Sequence, residues 1–368
     1  MSRVDLNHVW KIYAGNVVAV KDVTFACQEK EFLAILGPSG GGKSSTLRML
    51  AGLEEITRGE ILFDGKVVNH LGPAERNIAL AFESYALYQR MTVYENIAFP
   101  LRARGLGASE VDKKVRLIAE TLDLTDILKK KPSALSGGHQ QRVSLARALV
   151  REPKVTLLDE PISHMDQRIR AGLRARIRRI HNELGNTTIY VTHDQAEAIS
   201  LCDRLAILDQ AELQQVGTVD EIWNEPANRF VAYFVGEPAM NFISGKIEAP
   251  QQVSIPTKEG KRTFEFRGEV DSKYVGTEIT IGLRPQQIGI SRREEQGASI
   301  PGLVKIIEFQ GDKTNLTLEL GDGANSDVKV VVAASERYNM NETVRLHFGP
   351  DIIHLFDKDT SILRRKIK

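Results

Sequence analysis

Apolar positions along the chain change their spacing, and the changes divide it into regions. Residues 17–26 alternate apolar and polar, the period-two pattern of a half-buried strand. Residues 61–63 and 67–68 flank Asp64-Gly65, a dipeptide that favours a tight hairpin turn. Short apolar runs at 32–36, 77–82, 155–159 and 187–192 predict strands buried on both faces. Between them the apolar period lengthens to that of a helix, over 43–51, 93–104, 108–122, 138–150 and 166–184. Strands alternating with helices predict a parallel sheet covered by helices.

The texture changes at Val235-Gly236. Beyond it come strand-like runs at 278–282, 303–309, 316–320, 328–333 and 344–348, separated by turns such as Gly321-Asp322-Gly323. This pattern predicts a small all-β, barrel-like domain over 236–368 after an α/β domain over 1–235. The length of 368 residues accommodates both.

Composition narrows the class. A hydrophobic content of 42% with 26% charged residues is ordinary for globular protein. The net charge of +1 gives no nucleic-acid footprint. Arginines at 168, 170, 174, 176, 178 and 179 form a basic helix without interleaved aromatics, which reads as a solvated face. Cys27 and Cys202 lack metal-ligand spacing and read as buried hydrophobes in a reducing compartment. No apolar run is long enough to span a membrane, and residues 1–7 carry no secretory pattern.

The chemistry concentrates in the first domain. Residues 37–44 read Gly-Pro-Ser-Gly-Gly-Gly-Lys-Ser, a match to G-x-x-x-x-G-K-[ST] between a predicted strand and a predicted helix. From Ser39 through Gly40, Gly41 and Gly42, successive N–H groups can turn inward as an anion nest at a helix start. Lys43 would reach the β- and γ-phosphates, and the Ser44 hydroxyl would ligate Mg²⁺. A nucleoside triphosphate is the expected ligand. Ser136, Gly137 and Gly138 open another helix with a hydroxyl and free N–H groups, although Ser136 alone reads as an ordinary N-cap. The run 155–160 ends in Asp159, suited to Mg²⁺, and Glu160, suited to polarising an attacking water. His193 ends an apolar strand where parallel sheets bind ligands. Tyr13, placed in a polar stretch before the first strands, is either an adenine-stacking ring or a half-buried surface tyrosine.

The order GPSGGGKS, SYALYQRMTVYENIAFPL, LSGGHQQR, VTLLDEP and VTHD resembles an ABC-transporter ATPase subunit. The segments GEPAMNFISGKI, IGLRPQQIGI and DIIHLFD resemble the accessory domain of sugar-type importers. Relatives in pattern are the ATPases of maltose, multiple-sugar, glycerol-3-phosphate and polyol importers, and the resemblance covers essentially the whole chain. It implies an α/β P-loop NTPase cassette with a helical subdomain, followed by an all-β OB-fold-like accessory domain. It also implies ATP and Mg²⁺ as cofactors, and ATP hydrolysis coupled to import of a carbohydrate or polyol-type solute.

By that resemblance Tyr13 matches the adenine-stacking aromatic and residues 37–45, Ser45 included, the Walker A loop. Ser136, Gly137 and Gly138 match the signature that contacts ATP on the opposite subunit. Asp159 and Glu160 match Walker B and the catalytic carboxylate, Asp166 the D-loop, and His193 the switch histidine. Residues 84–101 correspond to the surface that meets the coupling helices of membrane subunits. The implied partners are a second ATPase subunit, two integral membrane permease subunits and, indirectly, an extracytoplasmic solute-binding protein, with no nucleic acid. The implied location is peripheral, on the cytoplasmic face of the inner membrane.

Three positions depart from the family pattern. Glu83 stands where glutamine is usual; as an acceptor-only anion it is a metal-ligand and catalytic candidate expected to slow hydrolysis or alter its coupling. His139 replaces the signature glutamine, and His164-Met165 the usual Asn-Leu beside the D-loop. A symmetric homodimer is favoured because Walker A, Ser136, Glu160 and His193 are all present; a hydrolysis-impaired half of a heterodimer is the alternative. A soluble ABC ATPase acting on ribosomes or DNA is a further class, but such chains usually carry two cassettes or a long coiled coil, and this one has neither. The β domain could also capture a small molecule or signalling protein as a regulatory module.

Overall fold

The computed structural model describes residues 2–81, 85–163, 167–257, 259–293, 298–320 and 327–363, without the side chains of 167–169. Glu83, His164, Met165, Asp166 and the Gly321-Asp322-Gly323 turn lie outside the described residues. Contacts divide the chain into two units, Met1–Val219 and Asp220–Lys368.

In chain order the first unit runs β1 (Val4–Tyr13), β2 (Val17–Cys27), β3 (Phe32–Leu36), α1 (Lys43–Ala51), β4 (Arg58–Phe63), β5 (Lys66–Val67) and β6 (Ile78–Ala81). It continues through α2 (Val93–Ala103), α3 (Ala108–Thr121), α4 (Gly137–Leu149), β7 (Val155–Asp159), α5 (Gln167–Leu184), β8 (Thr187–Thr192), α6 (Gln195–Leu201), β9 (Arg204–Asp209) and β10 (Glu212–Thr218). One sheet is antiparallel, in the order β2-β1-β4-β5; the other has the order β10-β9-β3-β8-β7-β6. Every residue of β3, β7 and β8 is buried, as expected of parallel strands covered on both faces.

Two apolar layers sandwich the parallel strands. On one side Leu47 and Leu50 of α1 join Leu6, Phe25 and Ile61 of the antiparallel sheet with Ile35, Leu157 and Ile189. On the other, Ile97, Val115, Val143 and Ile177 from four helices pack with Phe32 and Tyr190. Helix α2 starts on a reciprocal cap, in which the Glu95 N–H donates to Thr92 Oγ1 at 3.2 Å and the Thr92 N–H donates to Glu95 Oε2 at 2.7 Å.

Several arginines of the basic helix α5 form ion pairs with other elements. Arg170 pairs with Asp194 at 3.1 Å, Arg178 with Asp203 at 2.6 Å, and Arg176 with Asp123. These arginines tie α5 to the turn after β8, to the start of β9 and to the end of α3.

The second unit opens with α7 (Val219–Asn224), which begins at the division, and α8 (Arg229–Phe234). Then come β11 (Asn241–Ala249), β12 (Gln252–Thr257), β13 (Gly260–Glu265), β14 (Glu278–Leu283), β15 (Gly289–Ser291) and β16 (Ile300–Phe309). The strands β17 (Lys313–Glu319), β18 (Asp327–Ala333), β19 (Thr343–His347), β20 (His354–Asp357) and β21 (Thr360–Ser361) complete it. Two antiparallel sheets, β13-β12-β11-β14-β20-β21 and β15-β19-β16-β17-β18, close over one apolar core that includes Ile247, Ile281, Leu316 and Leu346.

Arg284 pins the two short helices to this barrel-like body. Its guanidinium is 1% exposed, stacks 3.8 Å from the Trp223 ring centroid, and donates to the carbonyls of Trp223 at 2.7 Å and Val235 at 2.6 Å. Burial lowers its pKa to about 10, so it stays charged at neutral pH. The helices ahead of residue 236 therefore belong by contact to the second unit.

Candidate nucleotide site

The phosphate loop leaves the carboxyl end of β3 and enters α1. Gly42 caps that helix at φ +96°, in the left-handed region, and a Cβ there would lie 2.4 Å from the Ala19 carbonyl oxygen. Among the described residues no side chain caps α1, which leaves its first N–H groups for an anion. Lys43 is buried and donates to the Pro38 carbonyl at 2.9 Å, which holds the ammonium over the loop. Burial lowers its pKa, while the Glu160 and Asp159 carboxylates pull the other way. Ser39 and Gly40 form the exposed tip and Gly41 lies buried behind them.

Parallel pairing brings three strand ends to one edge. Leu36 is in register with Thr192, and Asp159 with Val191, so the segments leaving β3, β7 and β8 converge there. Asp159, 7% exposed, lies with Oδ1 3.5 Å from Ser44 Oγ. Glu160 takes φ +45°, unusual for a residue with a side chain, and its N–H is fixed by the Val191 carbonyl at 2.9 Å. This turn presents the Glu160 carboxylate, 17% exposed, to His193 Nδ1 at 2.9 Å. The arrangement thus collects Lys43, Ser44, Asp159, Glu160 and His193 from three strand ends.

Hard oxygen donors at Ser44 and Asp159 suit Mg²⁺, which keeps waters and substrate oxygens in its shell and needs only one or two protein carboxylates. Among the described residues no group of three or more His, Cys, Asp or Glu is gathered as a metal site.

Tyr13 differs from its expected place: it is the last residue of β1, not part of a polar stretch before the strands. Its hydroxyl lies 3.3 Å from Ser45 Oγ, and Lys11 Nζ sits 4.7 Å from its ring centroid. Ring and loop are therefore adjacent. Ser136, Gly137 and Gly138 lie at the start of α4. Ser136 is the N-cap, exposed, and the described hydrogen bonds of its side chain go to His139.

Two supports escape sequence reasoning. Gln141 of α4 donates to the Glu160 carbonyl at 3.5 Å, linking the signature helix to the carboxylate turn. Behind His193, the buried Glu197 accepts from Tyr190 Oη at 2.9 Å and Thr192 Oγ1 at 2.8 Å. The pattern Asp194-x-x-Glu197 at a helix start could have flagged the second support.

Residues 20–163 match the family model described as ABC transporter, residues 236–288 the MalK OB fold domain, and residues 281–356 the TOBE domain. The trehalose/maltose import ATP-binding protein MalK of Thermococcus litoralis is 41% identical over 377 residues, covering 98% of this chain and 99% of that one. The chain belongs to the ABC transporter ATP-binding proteins. A second relative, the multiple sugar-binding transport ATP-binding protein MsmK of Streptococcus mutans, is 40% identical over 98% of this chain and 99% of its own. Among solved structures, the dimeric ATP-binding cassette MJ0796, in a post-hydrolysis state bound to ADP and Pi, aligns with TM-score 0.55 and 30% identity. That alignment covers 59% of this chain and 98% of that one. As an ABC ATPase with a MalK-type OB fold and a TOBE domain, the chain binds and hydrolyses ATP. No described helix is long and apolar enough to cross a membrane.

Proposed function

We propose that this ATPase powers an importer for a carbohydrate or polyol-type solute, acting as a homodimer on the cytoplasmic face of the membrane against two permease subunits. The observation that carries the ATPase assignment to particular residues is the Glu160–His193 contact at 2.9 Å beside Ser44 and Asp159. Support for the solute class comes from the relatives, whose names specify trehalose and maltose or multiple sugars.

In this reading Tyr13 stacks on the adenine, and the N–H groups of residues 39–45 with Lys43 neutralise the phosphates. Ser44 and Asp159 would hold Mg²⁺, which supplies charge neutralisation across the β- and γ-phosphates when bound. Glu160 polarises the attacking water, and His193 orients that carboxylate and meets the γ-phosphate. Ser136, Gly137 and Gly138 complete the site of the opposite subunit, a role supported by the exposure of Ser136 and Gly137 at the start of α4. Residues 85–101 present Tyr88 and Phe99, exposed, with ring centroids 4.9 Å apart and planes tilted by 55°, as the face that meets the permeases. Glu83 would add an anionic acceptor near the same phosphates and slow turnover.

The test is the ATPase rate of the purified chain against its own concentration, beside Glu160→Gln. A rate rising faster than linearly and abolished in the variant supports composite sites. A rate that stays linear down to concentrations at which sedimentation with Mg-ATP finds only monomer overturns the homodimer.

A further inference from the structure

Ser136 and His139 share one hydrogen bond, and which of them donates decides what the serine can offer a phosphate. Ser136 Oγ lies 2.7 Å from His139 Nδ1, while the His139 backbone N–H reaches the same oxygen over 3.4 Å. A serine hydroxyl has one proton and two lone pairs. When Nδ1 is bare it accepts the serine proton, and Oγ then faces outward with a lone pair, which repels an anion. When the imidazole is protonated both ring nitrogens are donors; Nδ1–H donates to Oγ and the O–H is released outward. A neutral ring carrying its proton on Nδ1 also releases the hydroxyl, but brings no charge. The imidazolium adds a cation at the start of a 13-residue helix, where the dipole already favours anions.

The surroundings set the resting state. Burial first, then Arg142 on the same helix and Lys130 from the preceding segment, push the half-buried ring toward its neutral form. Asp123 lies 3.7 Å from Arg142 and offsets part of that cation. The Tyr85 hydroxyl is close by, 3.5 Å from where a Gly137 Cβ would stand. A triphosphate brought up by another subunit reverses this balance, because its charge favours the imidazolium.

We propose that His139 is a positioning residue for Ser136, releasing the serine hydroxyl toward the triphosphate of the opposite subunit when the imidazole takes up a proton. This rests on the composite-site reading of the proposed function. Closure of the dimer then takes up a proton at each signature helix, and ATP-driven dimerisation strengthens in mild acid.

The test uses the full chain carrying Glu160→Gln, with and without His139→Gln, and measures Mg-ATP-driven dimerisation by sedimentation. Between about pH 8.5 and about pH 6, dimerisation should tighten about tenfold where His139 is present and change less than about twofold in His139→Gln. Every other group is common to both proteins, so their difference isolates His139. Parallel pH profiles with dimers forming in both overturn the role of His139 and leave the composite site standing. No ATP-dependent dimer at any pH overturns the composite site, and the inference falls with it.

Discussion

Gly37, the first glycine of the phosphate loop, has no backbone reason to be glycine; its reason is space. An alanine Cβ there would stand 2.1 Å from the Leu208 carbonyl oxygen and 3.2 Å from the carbonyl carbon. Leu208 is fully buried in β9 and in register with Leu213 of β10, so that carbonyl has no room to swing away. Ordinary contact begins at 3.4 Å, so the loop itself must give by about 1.3 Å. Overpacking of this kind costs about 1–3 kcal/mol, which for a unit of this size lowers Tm by roughly 2–12 °C. The functional effect should be larger, because Lys43 and Ser44 follow in the same rigid loop. A 1 Å misplacement of positioning groups costs on the order of 100-fold, so kcat/KM for ATP should fall about that much in Gly37→Ala. Gly40→Ala is the control. Its Cβ meets nothing within 4 Å, and at φ +82° it carries only a backbone cost of about 1–2 kcal/mol. Thermal unfolding and steady-state ATPase kinetics of the two variants, measured together, decide the matter. Wild-type kcat/KM in Gly37→Ala, or equal losses in the two variants, would show that proximity to β9 does not hold the loop.

Glu160→Gln should lower the ATPase rate by about 10²–10⁴-fold while nucleotide affinity, read by titration of a fluorescent ATP analogue, stays near wild type; a comparable loss of affinity would move Glu160 out of the water-polarising role. His193→Ala should lower the rate with it, and the double variant should fall little below the worse single one, since the two side chains act as one unit. His181 is buried beside Phe32 and Thr188, and burial, then Arg178, hold its pKa below the ordinary 6.5. The unfolded chain therefore protonates first, stability falls as pH drops below about 6.5 toward the lowered folded value, and His181→Gln should flatten that limb in urea titrations. Arg284→Lys cannot serve the Trp223 and Val235 carbonyls together and should destabilise the second unit by about 2–4 kcal/mol. Urea unfolding followed by Trp223 fluorescence in a Trp10→Phe background checks this, and an unmoved midpoint dismisses the clamp.

Sequence makes local features legible. The phosphate loop, the all-buried runs of β3, β7 and β8, and His193 at a strand end each carry their signal within a few residues. β1 does not. Its pairing shifts register between Leu6 and Val9, and His8 takes φ +49°, so period-two alternation breaks inside the strand and Tyr13 reads as polar loop. The ion pairs of α5 escape the sequence for a similar reason. The arginines' partners Asp123, Asp194 and Asp203 come from other elements, and no spacing rule within a helix reaches them. The Ser136–His139 contact, by contrast, is an N-cap and its third residue, a pairing that helix geometry makes visible in sequence.

The two halves of the proposed composite site differ in how they are held, and the difference constrains how they must work. Around His193 the turn is braced from within: Asp194 N–H donates to Thr192 Oγ1 at 3.0 Å, Glu197 receives two hydroxyls, and Arg170 reaches the Ser163 carbonyl at 2.6 Å. Lys43, Asp159 and Glu197 are all buried. Such groups are pre-organised and cost little to order when a substrate arrives. Ser136 and Gly137 are exposed, and among the described residues the Ser136 hydroxyl is braced by His139 alone, through its backbone N–H and a ring that can reverse its donor role. In a rigid site completed by an exposed one, the adjustable half governs closure and the fixed half governs chemistry. His139→Gln should therefore shift the ATP concentration for half-maximal rate more than the maximal rate, and Glu160→Gln the reverse; ATPase saturation curves of both variants test that division directly.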